Sequence, residues 1–264
     1  MKAVFPSHLH VRVVPSVARR TVIAMSVRNA PCPCGSGRKF KRCCADAVDH
    51  PKRTAEQHDA VGRRIQAWAR EHHCEAMREA FAEITSGFAD RVLGDIDLQL
   101  IASWMHNDRQ LPGGGTPAER YAQRDDLPAW ERDLARRIAA AQFGLLRVVR
   151  VMPGRWIELH DLAVGGGVVR AISHHVSRSA RPHDLMVGRL MDGPPAPALW
   201  GPVGFLTRQS GRELRELLDT HMEVPGLGDA AGGGLAAAMT AASREITVML
   251  APALGPANAS LKAA

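Results

Sequence analysis

From residue 54 to about 88 the apolar positions Val61, Ile65, Trp68, His72, Met77, Phe81 and Ile84 recur every three to five residues, opposite Arg63, Arg64, Arg70 and Glu71. A period near 3.6 predicts an amphipathic helix. Thr54, followed three residues later by Gln57, predicts a capping box at its start. A second helix is predicted over 95–106, with Ile96, Leu100, Ile101 and Trp104 inward, and Gln110-Leu-Pro-Gly-Gly-Gly ends it. Thr116-Pro-Ala-Glu predicts a third, with Thr as the cap and Pro in the first turn. Leu127-Pro-Ala opens a fourth that runs through Trp130, Leu134 and Ile138 to about Phe143.

Beyond Phe143 the period shortens. Residues 145–151, 156–160, 168–173, 185–191 and 199–205 are short apolar-rich runs, several of them separated by Pro153-Gly154, Gly165-Gly-Gly167 and Asp192-Gly-Pro-Pro. Five strands so spaced predict a small barrel or strongly curved sheet. Residues 210–221 return to helical spacing around Leu214, Leu217 and Leu218, 226–234 read as a hinge, and 235–250 as a last helix. The expected fold is α+β: an N-terminal knuckle, a helical region, a small five-stranded curved sheet or barrel, and C-terminal helices. Residues 1–27 read as a disordered or wrongly assigned extension, with Met25 a natural start. Residues 28–48 read as the knuckle, 54–146 as the helical region, 147–224 as the barrel-like region plus a helix, and 225–264 as hinge, helix and tail.

The knuckle is the sharpest signal in the chain. Cys32-Pro-Cys-Gly-Ser-Gly-Arg-Lys-Phe-Lys-Arg-Cys-Cys44 sets two cysteines two apart, then eight residues, then an adjacent pair. Four thiolates at about 2.3 Å close a tetrahedral zinc shell and leave no position for water or substrate. Pro33 pins the first turn, and Gly35 and Gly37 permit the positive φ that a turn around a metal needs. Phe40 can cap the site, and Arg38, Lys39, Lys41 and Arg42 offset the charge of the thiolates. Two disulfides are the competing reading, disfavoured because adjacent cysteines pair poorly and no secretory signal is evident.

From Asn29 to Cys44 the sequence resembles the SEC-C motif, the zinc-binding tail of the SecA translocation ATPase, found also in many small bacterial proteins. In that family three cysteines and a histidine or a fourth cysteine hold the ion. The resemblance therefore implies Zn²⁺ on Cys32, Cys34, Cys43 and Cys44. Ala30 stands where an aspartate is common. The helical stretch, Trp156-x-x-x-x-Asp161-Leu162 and Asp184-Leu-Met-Val-Gly-Arg189-Leu look like uncharacterised bacterial proteins that carry this motif, and no known reaction comes with that likeness.

Composition narrows the rest. With 264 residues, 45% apolar and 23% charged, the chain can bury a core, and it has no apolar run long enough to cross a membrane. Thiol ligands need a reducing compartment, so the cytoplasm is expected. Cys74, on the first helix, is expected as a buried small side chain. The net charge of +7 is uneven, because residues 1–44 hold nine Lys and Arg and no acid, whereas the rest hold twenty-five basic and twenty-seven acidic residues. Nucleic acid is therefore expected to meet only the N-terminal basic segment.

The expected function is a cytoplasmic adaptor, with Arg38, Lys39, Lys41 and Arg42 offered to an acidic protein partner. By analogy with the SecA tail, that partner is a SecB-like chaperone or a ribosome surface. Two alternatives stand beside it. One is a metal-dependent hydrolase or nucleic-acid-processing enzyme using His174, His175, His183, Asp161 and Asp184; the other is a ribosome- or RNA-associated protein. The His/Asp spacing fits no established motif, and the glycine runs lack the Lys-Ser/Thr of a phosphate loop. The tryptophans read as core anchors, except Trp200, which sits among prolines as a candidate exposed docking ring.

Overall fold

The computed structural model describes residues 28–32, 37–88, 92–163, 167–193, 196–222, 239 and 241–253. The expected N-terminal extension, the 226–234 hinge and Cys34 lie outside the described residues. Helix α1 (Ala45–Asp49) leads into α2 (Pro51–His72). The latter starts one turn before the expected capping box, because proline at the first helical turn needs no N–H partner. Thr54 is therefore inside the helix and buried, with its hydroxyl donating to the Ala47 carbonyl at 2.8 Å and the His50 carbonyl at 3.3 Å.

The single helix expected over 54–88 is two. His73 leaves helical geometry at φ −135°, and α3 (Cys74–Thr85) sets off in a new direction before a 3-10 turn at Ser86–Phe88. The break lets Val61 and Ile65 of α2 pack in one cluster while Ala80 and Ile84 of α3 pack in another. It also moves residues off the expected stripe. His72 and Phe81 are exposed, and His72 stacks on Trp68 with ring centroids 5.2 Å apart. Cys74, expected inside, is exposed.

Helix α4 (Asp95–Asn107) buries Leu100, Ile101 and Trp104 as expected. Helix α5 (Pro117–Ala122) opens on the expected capping box: the Thr116 hydroxyl accepts from Glu119 N–H at 3.2 Å, and the Glu119 carboxylate accepts from Thr116 N–H at 2.8 Å. Helix α6 (Ala129–Ala139) stops short of its expected end, and Phe143 lies instead in the first strand. Trp130 on α6 is 45% exposed rather than a core anchor.

Five strands, β1 (Gln142–Met152), β2 (Trp156–Asp161), β3 (Val169–Ile172), β4 (Leu185–Met191) and β5 (Ala198–Phe205), close into a barrel in the order β1-β2-β3-β5-β4. Every pairing is antiparallel except β3·β5, which meets in parallel at Ile172 and Ala198. With the short helix α7 (Val176–Ser179) between β3 and β4, this is the connectivity of an OB-type barrel. Strand β1 serves both neighbours, and its register shifts between Val148 and Arg150. A bulge of this kind bends the strand and lets the sheet close. Leu146, Val148, Ile157, Leu159, Val169, Ala171, Met186 and Leu190 fill the interior.

The helices pack on the barrel from outside. Val61, Ile65, Leu134 and Ile138 meet Ile172, Met191 and Ala198. Leu100, Ile101 and Trp104 meet Phe143 and Val187, joined by Leu214 and Leu218 of α8 (Arg208–Met222) and by Ile246 and Leu250 of α9 (Ser243–Ala253). Trp200 is not a docking ring: it is half-buried against this helical layer, and its indole N–H donates to the Asn107 side-chain oxygen at 3.5 Å. No helix among the described residues is long and apolar enough to cross a membrane.

Candidate metal centre

Residues 30–32 run beside 38–40. Cys32 N–H donates to the Arg38 carbonyl at 2.8 Å, Phe40 N–H to the Ala30 carbonyl at 2.9 Å, and Pro31 bridges Lys39 antiparallel. Gly37, at φ +70°, sits in the reversal, where a residue with a Cβ would be strained. Phe40–Arg42 then makes one 3-10 turn, closed by Cys43 N–H on the Phe40 carbonyl at 3.0 Å. That turn carries Cys43 and Cys44 back to Cys32, and Cys44 stands at the residue before α1.

The sulfurs of Cys32, Cys43 and Cys44 all lie within 4.8 Å of one another. All three are free thiols, Cys32 and Cys44 buried and Cys43 half-buried. Two thiolates on a tetrahedral ion at about 2.3 Å stand about 3.8 Å apart, and the Cys43 and Cys44 Sγ atoms are 3.9 Å apart. Three soft donors at this spacing fit a metal ion. The fourth expected ligand, Cys34, lies outside the described residues.

The basic residues of the motif divide between the site and the solvent. Arg38, Lys39, Lys41 and Arg42 are exposed, and the Arg38 guanidinium also donates to Cys43 Sγ at 3.5 Å. Phe40, expected as a cap, is half-buried. One contributor had no signal in the sequence. Arg137 of α6 donates to the Asp192 carbonyl at 2.7 Å and the Ala196 carbonyl at 3.2 Å, and lies within electrostatic reach of Cys44. Burial pulls its guanidinium down to about 10, and Asp192 and Cys44 oppose the shift. It remains a cation at neutral pH and places positive charge on the body side of the cluster. Only folding brings it there, so no local pattern could have marked it.

The second expected cluster does not form. Asp161 is buried, and its carboxylate accepts from Ala163 N–H at 2.9 Å. The His174 ring contacts the Gly154 carbonyl at 3.2 Å and meets His175 edge-on at 4.8 Å. His183 is exposed in a turn at φ +75°, and Asp184 accepts from Arg181 N–H at 2.7 Å. Among the described residues, Cys32, Cys43 and Cys44 are the one group placed to hold a metal ion. His174 reaches across to the β1–β2 turn, His183 N–H donates to the Val148 carbonyl of β1, and Asp161 and Asp184 accept from nearby backbone N–H groups, so these residues form no metal-ligating group among the described residues.

Residues 28–46 match the SEC-C motif family. The chain is similar to the uncharacterized protein YccF of Bacillus subtilis (strain 168), with 35% identity over 107 residues, covering 37% of this chain. The chain spans only 28% of the length of that relative. No solved structure matches it. Residues 28–46 are therefore a SEC-C motif, set beside a helical layer and a closed five-stranded barrel.

Proposed function

We propose that this is a zinc-binding interaction protein of the cytoplasm, in which Cys32, Cys34, Cys43 and Cys44 hold one structural Zn²⁺ and the knuckle presents a basic surface to an acidic protein. The observation that carries the reading is the convergence of three reduced sulfurs on a segment whose basic side chains face outward. Thiolate is the ligand zinc prefers in closed sites, and a four-sulfur shell has no vacancy for a substrate. The ion would order a segment with almost no core of its own, a contribution on the order of 10 kcal/mol in small zinc modules. Arg38, Lys39, Lys41 and Arg42 would then stand on a preformed knob, so little conformational freedom is lost on docking. By analogy with the SecA tail, a SecB-like acidic chaperone or a ribosome surface is the partner.

The test has two stages. Protein purified under reductant should contain one zinc per chain, and Cys32→Ser/Cys43→Ser should contain none. Affinity capture with the wild type and that variant should then differ in an acidic partner. Zinc bound without any such difference would leave the metal site intact and sink the adaptor role.

A further inference from the structure

The near-neutral charge of the body conceals a sharp division. Residues 45–141 hold thirteen basic and seventeen acidic side chains, whereas residues 142–193 hold seven arginines and four acids. Of those seven, Arg189 is buried at the junction with the helices. Four of the others gather on the outer face of β1–β2–β3 and its β1–β2 turn. Arg150, Glu158 and Arg170 stand opposite one another across the three strands, and Arg147 stands opposite His160. Arg155 lies in the turn, paired with Asp49 at 3.6 Å. Arg178 of α7 reaches the same turn at Gly154.

Trp156 lies at the centre of this face. The Arg170 guanidinium is 4.3 Å from its ring centroid and that of Arg150 is 5.3 Å away. Both guanidiniums are fixed by Glu158: Arg150 reaches its two oxygens at 3.0 and 2.9 Å, and Arg170 reaches one of them at 3.0 and 2.6 Å. One carboxylate thus holds two cations beside an aromatic ring and cancels only one of them. Next to Arg155, an open groove of about 520 Å³ runs towards α2, lined by Lys52, Arg53 and His174 but also by Asp49 and Glu56, so the cationic face is that of the strands.

We propose that this face binds single-stranded nucleic acid, with unpaired bases stacking on Trp156 and its flanking guanidinium planes and phosphates tracking Arg147, Arg150, Arg155 and Arg170. Ring and guanidinium planes are sequence-tolerant stacking platforms, and a line of arginines follows a sugar–phosphate backbone. A duplex hides its base faces and would leave Trp156 without a role. An acidic peptide would use the cations and leave the ring unexplained. Strands two and three of OB-type barrels are a recurrent oligonucleotide surface, which is support by analogy only. The inference is independent of the knuckle.

The test is fluorescence anisotropy of the full chain with labelled oligouridine, oligothymidine and a duplex of matched length. Binding to either single strand should exceed binding to the duplex, and its logarithm should fall linearly with that of salt concentration. Trp156→Ala should weaken it about tenfold, whereas Trp156→Phe keeps most of the affinity. Arg147→Gln should lower the salt slope by about 0.7, the share of one phosphate on a single strand. Arg215→Ala, on the exposed side of α8, should change nothing. Cys43→Ser should retain the affinity, so failure here and failure of the zinc reading are distinguishable. Preference for duplex, equal displacement by polyglutamate, or a folded Trp156→Ala that binds like the wild type would each overturn the proposal. If Trp156→Ala does not fold, an Arg147→Gln salt slope equal to the wild type does so.

Discussion

The Arg189 guanidinium on β4, only 1% exposed, is ion-paired with Asp108 at the end of α4. It also donates to Ser103 Oγ at 3.1 Å and to the Ala141 carbonyl at 3.0 Å, and lies 3.9 Å from the Phe143 ring centroid. The cation is thus satisfied on several sides where the barrel meets the helical layer. Burial pushes the Asp108 carboxyl up, and Arg189 pulls it back down. Desolvating two charges is costly, so the pair adds little net stability, but removing one partner strands the other.

Asp108→Ala should therefore destabilise the protein by about 3–5 kcal/mol, because a guanidinium cannot shed its proton to escape burial. Arg189→Met should cost less, since the remaining carboxyl can protonate. The double replacement Asp108→Leu/Arg189→Met should recover much of the loss. Urea unfolding of the four proteins measures this. A double variant as unstable as the sum of the singles would show that the two residues do not act as a pair.

Gly62 in the middle of α2 is explained by its neighbour. A Cβ built there would lie 2.5 Å from Cη2 of Trp200. Alanine gains about 0.5–1 kcal/mol in helix propensity, but overpacking costs about 1–3 kcal/mol. Gly62→Ala should therefore lower stability by about 1 kcal/mol and alter the near-ultraviolet dichroism of the tryptophans. A stabilised variant would mean that the Trp200 ring moves aside freely.

Burial lowers two histidines from 6.5 to about 4: His106, helped by the charge of Arg70, and His58, helped by that of Arg137. Both are neutral in the folded protein at neutral pH, and the unfolded chain binds their protons first. Their stabilisation is complete above about pH 6.5 and is lost as the pH falls towards 4, on the order of 3 kcal/mol for each. His106→Asn should flatten the fall in the urea midpoint between pH 6.5 and 4. An unchanged profile would place the acid sensitivity elsewhere.

Chelation tests the knuckle from the other side. A strong chelator should release zinc and make Cys43 and Cys44 reactive to a thiol reagent, while Cys74, already exposed, reacts before and after. The barrel and helices have their own clusters of buried side chains, so their cooperative melting should survive. Loss of that transition on chelation would show that the body depends on the ion.

Much of what is local could be read along the chain, although the earlier start of α2 at Pro51 overrode the expected Thr54–Gln57 capping box. Cysteine spacing, proline and glycine chemistry specified the knuckle, Thr116 and Glu119 specified a capping box, and the change of period located five strands. These follow from interactions among residues near in the chain, whose geometry the backbone alone constrains. Tertiary structure decided the break at His73, the exposure of Cys74, His72 and Phe81, and the burial of Trp200 against Gly62. It also decided the closure of β3 on β5, the approach of Arg137 to Cys44, the pairing of Arg189 with Asp108, and the gathering of arginines around Trp156. Each of these joins groups tens of residues apart or depends on which of two faces meets the core. The free energy that selects them belongs to the packed whole, and no window of sequence contains it.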